Sequence, residues 1–219
     1  EFPRRFAPAS LRLKELIATR LGAPKILFCH KRLTCEPSTL RDRTMQQKAD
    51  QELMELIDWC SFIVGQRVRS IQCIQHCSES DGKAAQLDCD VDYRSMSVDL
   101  SAPDSAAGST IAQISCGTYI PSTWHEAIAY RPPAAVQVCC EKGLAFVDLP
   151  NGLVWFDEAG RHQESLDSER AVGHQLLSQF HRAVTSLVRK TSDLDDVYHG
   201  LRALQAARES VIHRRAIDL

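Results

Sequence analysis

The chain has 219 residues, 44% hydrophobic and 25% charged, enough to bury a substantial core as one large or two small globular domains. A net charge of −2, with Lys and Arg spread throughout, provides no basic footprint for nucleic acid. No apolar run reaches the roughly 20 residues that span a bilayer and the first residues form no signal peptide, so the expected protein is soluble, cytoplasmic and free of membrane partners.

After the basic pair Arg4-Arg5, which reads either as a surface patch or as an anion contact, residues 7–21 carry Leu13, Leu16, Ile17 and Leu21 near one side of a helix that ends at Gly22. Residues 25–34 (KILFCHKRLT) alternate as a strand does, and the polar stretch 35–48 reads as a loop long enough to border a site. Residues 50–65 (DQELMELIDWCSFIVG) then form a buried helix, with Leu53, Leu56, Ile57, Cys60, Ile63 and Val64 at helical spacing and Gly65 as its stop.

Beyond Gly65 the chain is β-rich. Residues 67–76 form a strand and 78–83 a polar turn. Leu87, Cys89, Val91 and Tyr93 alternate on odd numbers and Met96, Val98 and Leu100 on even ones, so a bulge or break near Arg94 re-phases the strand. A hairpin connection at 103–108 leads back through residues 110–119. The proline-bounded loop 121–133 holds Trp124, His125, Tyr130 and Arg131, where aromatic and imidazole groups suit substrate contacts or cover an edge of the core. Three short strands follow at 135–141, 144–149 and 153–157, punctuated by glycines, as a meander. Two helices close the chain, one with the stripe Val172, Leu176, Leu177, Phe180, Val184, Leu187 and Val188, the other with Leu194, Val197, Leu201, Leu204 and Val211, before a short terminal strand at 216–219.

Helices segregated from a run of antiparallel strands give an α+β class: a large, predominantly antiparallel open sheet with helices packed on one face. The other face is left for a second subunit, so a homo-oligomer is expected through it.

On the greasy central helix, Gln51, Glu55 and Asp58 fall in one line, at steps of four and then three residues. Two carboxylates one turn apart and partly shielded from water either shift in acidity, hold a cation, face solvent, or are met by an arginine from another element. The nine cysteines (29, 35, 60, 73, 77, 89, 116, 139 and 140) are odd in number and several sit in apolar runs, as reduced, buried thiols do. Cys73 and Cys77 with His76, or Cys29 and Cys35 with His30, suggest a metal or redox module, yet neither set has the knuckle spacing of structural zinc, and no metal is expected.

Three segments in order carry a resemblance to a known family. RRFAPASLRLKELIATRLGAPK (4–25), IDWCSFIVGQRVRSI (57–71) and DVYHGLRALQAARESVIHRRAIDL (196–219), with EKGLAFVDLPNGLVWFDEAGR (141–161) between them, resemble the C-terminal domain of the glucose-fructose oxidoreductase, inositol dehydrogenase and MocA-type (Gfo/Idh/MocA) NAD(P)-dependent oxidoreductases. The resemblance places Asp58 and Gly65 in the family's Asp and Gly slots and implies that the whole chain, 1–219, is a single substrate-binding and oligomerisation domain. Its partner would be its own N-terminal Rossmann domain, absent from this chain, which has neither a GxGxxG fingerprint nor a Glu-Lys-Pro motif. NAD or NADP would then bind the full-length parent and no cofactor would bind this chain, which would not be active alone.

The resemblance also implies a sugar, polyol or related hydroxy compound as the small-molecule substrate. The family's Asp and His, one turn apart on the central helix, are here Gln51 and Glu55, and the glycine between them is Leu53. On this reading Glu55 and Asp58 are the catalytic candidates, with Gln51, Arg5, Trp124 and His125 as substrate contacts. The altered line equally suits a catalytically degenerate homologue that serves as a binding or scaffold protein.

Overall fold

The central helix, α2 (Arg43–Val64), organises the molecule. Leu53, Leu56, Ile57, Trp59, Cys60 and Ile63 are all buried, and Gly65 ends the helix at φ +76°, its N–H donating to Ser61 O over 2.8 Å. The computed structural model describes residues 2–33, 43–78, 90–102, 109–120, 123–129, 134–149, 151–166, 172–185 and 192–219. The expected hairpin at 103–108, most of the turn at 78–83, and Leu87, Cys89, Tyr130, Arg131, Leu187 and Val188 lie outside these residues.

Ahead of α2 come a 3-10 turn (Pro3–Phe6), helix α1 (Pro8–Leu16) running on as a π turn (Ile17–Leu21), and strand β1 (Pro24–Arg32). Gly22, at φ +74°, ends the first helix as its sequence requires. After α2 the strands are β2 (Ser70–Ser78), β3 (Asp90–Asp99), β4 (Ile111–Gly117), β5 (Val136–Cys140), β6 (Leu144–Asp148), β7 (Gly152–Asp157), β8 (Gly160–Ser165) and, at the carboxyl end, β9 (Ile217–Asp218). Helix α3 (His125–Ala129) interrupts the proline-bounded loop, and α4 (Val172–Thr185) and α5 (Ser192–His213) precede β9.

All nine strands join one sheet in the order β8-β7-β6-β5-β1-β4-β3-β2-β9, with every pair antiparallel except β1 and β4. The α+β class and open sheet read from the sequence are therefore present. The parallel pair arises because α2 carries the chain over the sheet between β1 and the β2–β3–β4 meander. One face is covered, by α1 on β6 and β7, α2 on β1 and β4, and α5 on β2 and β9. Into this layer point Leu27, Ile71, Met96, Val98, Ala112, Ile114, Val136, Val138, Ala145, Val147 and Leu153. The opposite face exposes Ile26, Phe28, Ile74, Ile111 and Phe156.

Several boundaries differ from the sequence reading. Helix α2 starts at Arg43, inside the stretch expected as loop, because its polar first turns continue the helix beyond the buried section. Strand β2 begins at Ser70, not residue 67. The register slips between His76–Tyr93 and Cys77–Val91, so Asp92 is the extra residue of the bulge placed near Arg94. Strand β8 pairs with β7 although its sequence, GRHQES, has no apolar alternation, as befits an edge strand. On α5, burial falls on Ala203, Leu204, Ala206 and Ala207, while Leu194 and Leu201 of the expected stripe stay exposed. The small residues let α5 sit close to the sheet, and Cys73 N–H donates to Ser210 Oγ over 2.9 Å.

Candidate functional site

The amino-terminal turn lies across the carboxylate line of α2. Pro3 presets its first dihedral, Arg5 N–H closes onto Phe2 O at 3.2 Å, and the buried Phe2 ring anchors the turn. This presents two adjacent guanidinium groups to successive turns of α2. Arg4 Nη1 donates to Glu55 Oε2 at 2.5 Å and its Nη2 to Glu52 Oε2 at 2.5 Å. Glu55 Oε1 accepts from Gln51 Nε2 at 3.3 Å, so both oxygens of Glu55 have partners.

One turn further on, Arg5 Nε donates to Asp58 Oδ2 at 2.7 Å and its Nη2 to Asp58 Oδ1, a two-pronged clasp, while Nη1 reaches Asp196 Oδ2 of α5 at 2.7 Å. The rings of Phe2 and Phe62 lie 5.4 and 5.6 Å from the Arg5 guanidinium. Asp58 is 5% exposed, and burial holds its carboxyl above the ordinary carboxylate range, against the pull of Arg5 and with help from Asp196 and Glu55.

Next to this cluster, buried Asp50 accepts from Arg94 Nη1 of β3 at 2.5 Å and from Arg208 Nη2 of α5. Asp50 thus ties the start of the buried part of α2 to the sheet below and the helix beside it. Burial pushes the Cys116 thiol at the end of β4 up to about 12, Glu52 adds to the effect, and Lys31, Arg4 and Arg94 oppose it. Glu52, Arg4 and Arg94 thus lie near the carboxyl end of β4.

On the other face of the same strands, His30 Nδ1 lies 2.8 Å from Ser115 Oγ and its Nε2 2.6 Å from Tyr119 OH, with Tyr93 edge-on to Tyr119. Burial, and then Arg32, lower the pKa of His30 below the usual imidazole range. This group is separated from the α2 cluster by the sheet.

Of the residues singled out in the sequence, Gln51, Glu55, Asp58 and Arg5 come together, and Trp124 and His125 do not join them. His125 opens α3, between β4 and β5, and Trp124 precedes it; both are exposed. The sequence reading missed Glu52, Asp196 and the specific role of Arg4. Glu52 repeats the three-residue step to Glu55, and Arg4 stood in the basic pair, but their meeting across 48 to 51 residues leaves no local signal.

Of the two metal sets, Cys35 lies outside the described residues, and the other members do not share a face. Cys29 is buried on the helical side of β1 with His30 on the other face, and Cys73 and His76 are parted in the same way on β2. Among the described residues no three His, Cys, Asp or Glu side chains gather around a common point. Nor is any described helix long and apolar enough to cross a membrane.

No protein-family model matches the chain, and no curated protein matches it in sequence. Solved structures do match. An aldose-aldose oxidoreductase from Caulobacter crescentus superposes with a TM-score of 0.73 at 12% identity, over 100% of this chain and 62% of its own. UDP-N-acetylglucosamine 3-dehydrogenase GnnA from Acidithiobacillus ferrooxidans gives 0.69 at 17% identity, over 96% of this chain and 60% of its own. An oxidoreductase from Sinorhizobium meliloti gives 0.67 at 12% identity, over 99% and 63%. The chain thus spans less than two thirds of the length of each of these three proteins. At such identities the likeness establishes the fold: from end to end, this chain is built as the larger part of those oxidoreductases is built.

Proposed function

We propose that this chain is the substrate-binding and subunit-assembly domain of a Gfo/Idh/MocA-type NAD(P)-dependent oxidoreductase whose nucleotide-binding domain precedes residue 1. Its substrate is a sugar, polyol or related hydroxy compound, the class to which an aldose-aldose oxidoreductase and a UDP-N-acetylglucosamine dehydrogenase of this fold point by name. The observation that carries the reading is the pairing of Glu55, on the central helix, with Arg4 of the amino-terminal turn, through which a preceding domain would connect.

This sequence has no glycine-rich dinucleotide fingerprint, so the nicotinamide that would take hydride from the substrate carbon would be held by the preceding domain. What remains for this chain is the hydroxyl proton. Glu55 Oε1 is the acceptor, since its bond to Gln51 is the longer one at 3.3 Å and opens at less cost than the 2.5 Å bond from Arg4 to Oε2. Gln51, once released, can donate to the substrate. Asp58 acts through Arg5, fixing the turn that positions Arg4. A second copy docks on the free sheet face, where Ile26, Phe28 and Ile111 form an apolar centre.

The test is turnover of NAD or NADP by the full-length protein across a panel of sugars and polyols, in wild type and Glu55→Gln. Loss of turnover in the variant supports the assignment. Full activity in the variant removes Glu55 from the chemistry. One observation favours a non-catalytic binding or scaffold protein of the same fold: both oxygens of Glu55 and both of Asp58 are already engaged by the protein itself. For that reading, the full-length protein binds its ligand without nicotinamide turnover.

A further inference from the structure

Helix α4 carries an apolar stripe that the described molecule leaves uncovered. Val172, Gln175 and Leu176 are half-buried where the helix rests beside the amino-terminal turn, but Leu177, Phe180 and Val184, displaced around the helix from that shoulder, are 63–68% exposed. Three large side chains within two turns of one helix are a costly arrangement to leave in water. His174, His181 and Arg182 border the stripe.

We infer that this stripe is the docking surface for the domain preceding residue 1. The inference rests on the reading above that such a domain exists, and adds where it sits. Three observations choose this occupant over others. Among the described residues, the element that α4 mainly contacts is the turn Pro3–Phe6, the first of the chain, so a domain joined to residue 1 arrives beside the stripe. A second copy has its own candidate surface, the free face of the sheet, on the opposite side from the helical layer. And the proteins of this fold described above have 37–40% of their length beyond the part this chain matches.

The turn that α4 leans on is also the one whose Arg4 holds Glu55. Docking on α4 therefore brings the preceding domain over the mouth of the carboxylate cluster, where a hydride acceptor would have to lie. An interface between domains of one chain buries about 600–1,500 Å². Leu177, Phe180 and Val184 form its apolar centre, and His174, His181 and Arg182 part of its polar rim.

Carbene footprinting of the full-length protein tests this, with the exposed Ile212 of α5 as internal reference. Labelling of Leu177 and Val184 at least about fivefold below Ile212, unchanged on dilution, and rising toward Ile212 in Phe180→Asp is the expected result for a covalently tethered occluding domain. Labelling equal to Ile212 in the wild type overturns the inference, and protection that vanishes on dilution overturns it in favour of a second copy. Should Phe180→Asp misfold, the milder Leu177→Ser, read at Val184, takes its place. Dinucleotide binding by the same samples is scored separately: its absence sinks the functional reading, whereas binding with an unprotected α4 sinks only the docking surface.

Discussion

Arg4 Nη1 sits 2.5 Å from Glu55 Oε2, and the same guanidinium holds Glu52 with its other arm. One fork thus bridges two carboxylates that lie three residues apart on α2. Lysine, with a single ammonium, cannot span both. The pairs are partly buried, with Arg4 at 13% and Glu55 at 14% side-chain exposure, so their worth lies between the near-zero of surface pairs and the several kcal/mol of buried ones. Arg4→Met should cost about 2 kcal/mol, or roughly 4–8 °C in Tm by calorimetry. Arg4→Lys should cost about half as much, and an unchanged Tm in both would mean the fork is a surface decoration.

Glu55→Gln separates chemistry from stability. The amide keeps the shape of the side chain and one acceptor for Arg4, so Tm should move by no more than roughly 2–4 °C, corresponding to about 1 kcal/mol. On the role proposed for Glu55, the substitution lowers kcat of the full-length protein by about 10²–10⁴-fold. Equal falls in activity and Tm would make Glu55 a structural residue.

Asp58 gives a pH dependence opposite in sign to that of most carboxylates. Burial raises its folded-state value above the ordinary 3.8, so the folded protein binds this proton more tightly than the unfolded chain. Stability from this group therefore falls as pH rises through the raised value, and returns as pH drops toward 3.8. Glu164 behaves in the ordinary way: its hydrogen bonds from Arg12 hold it below the usual carboxylate range, so its contribution is present above the unfolded value and lost in acid. Urea unfolding across the acid range should show Asp58→Asn with a steeper loss of stability in acid than wild type, and Glu164→Gln with a shallower one. Parallel curves would contradict the burial assigned to Asp58.

How much of this was legible follows from range. Helix α2 and its Gly65 stop, the strands around Leu27, Val98 and Val138, and the bulge before Arg94 are encoded by neighbours in sequence, and the sequence reading located them. Strand β8 escaped because an edge strand need not be apolar on either face. The parallel pairing of β1 with β4 and the clasp of Arg5 on Asp58 join residues more than 50 positions apart, where periodicity carries no information. Trp124 and His125 looked functional by residue type alone, and type does not say which way a loop faces.

Asp50 was passed over in the sequence because nothing on its own helix pairs with it, yet it is the anion between Arg94 and Arg208. Arg94 is buried, so Asp50→Ala leaves an uncompensated guanidinium inside the protein and should cost about 3–5 kcal/mol. Arg208 is 55% exposed, and Arg208→Ala should cost less than about 1 kcal/mol. The double change Asp50→Leu with Arg94→Met removes both buried charges and should recover most of the loss of Asp50→Ala. A double variant no more stable than Asp50→Ala would show that the pair does more than cancel charge.

The free sheet face is the remaining place where the molecule is unfinished. Ile26 pairs across the ladder with Ile111, Phe28 stands one step along, and the Phe146 and Phe156 rings meet edge to face at 6.1 Å on the neighbouring strands. Beyond them the polar group of His30, Ser115 and Tyr119 closes the face, so an apolar centre is bounded by groups able to hydrogen-bond across a rim. A carboxylate at the centre of such an interface is desolvated without a partner. Phe28→Asp should therefore weaken self-association by at least about 30-fold, the equivalent of about 2 kcal/mol, in sedimentation velocity. Because Phe28 points away from the helical layer, its Tm measured at concentrations where wild type is already dissociated should match wild type. Thr110→Ser, near the amino end of β4 and able to keep the hydroxyl bond to Pro24 O, is the control that should leave self-association unchanged. Self-association that survives Phe28→Asp would move the subunit contact off this face.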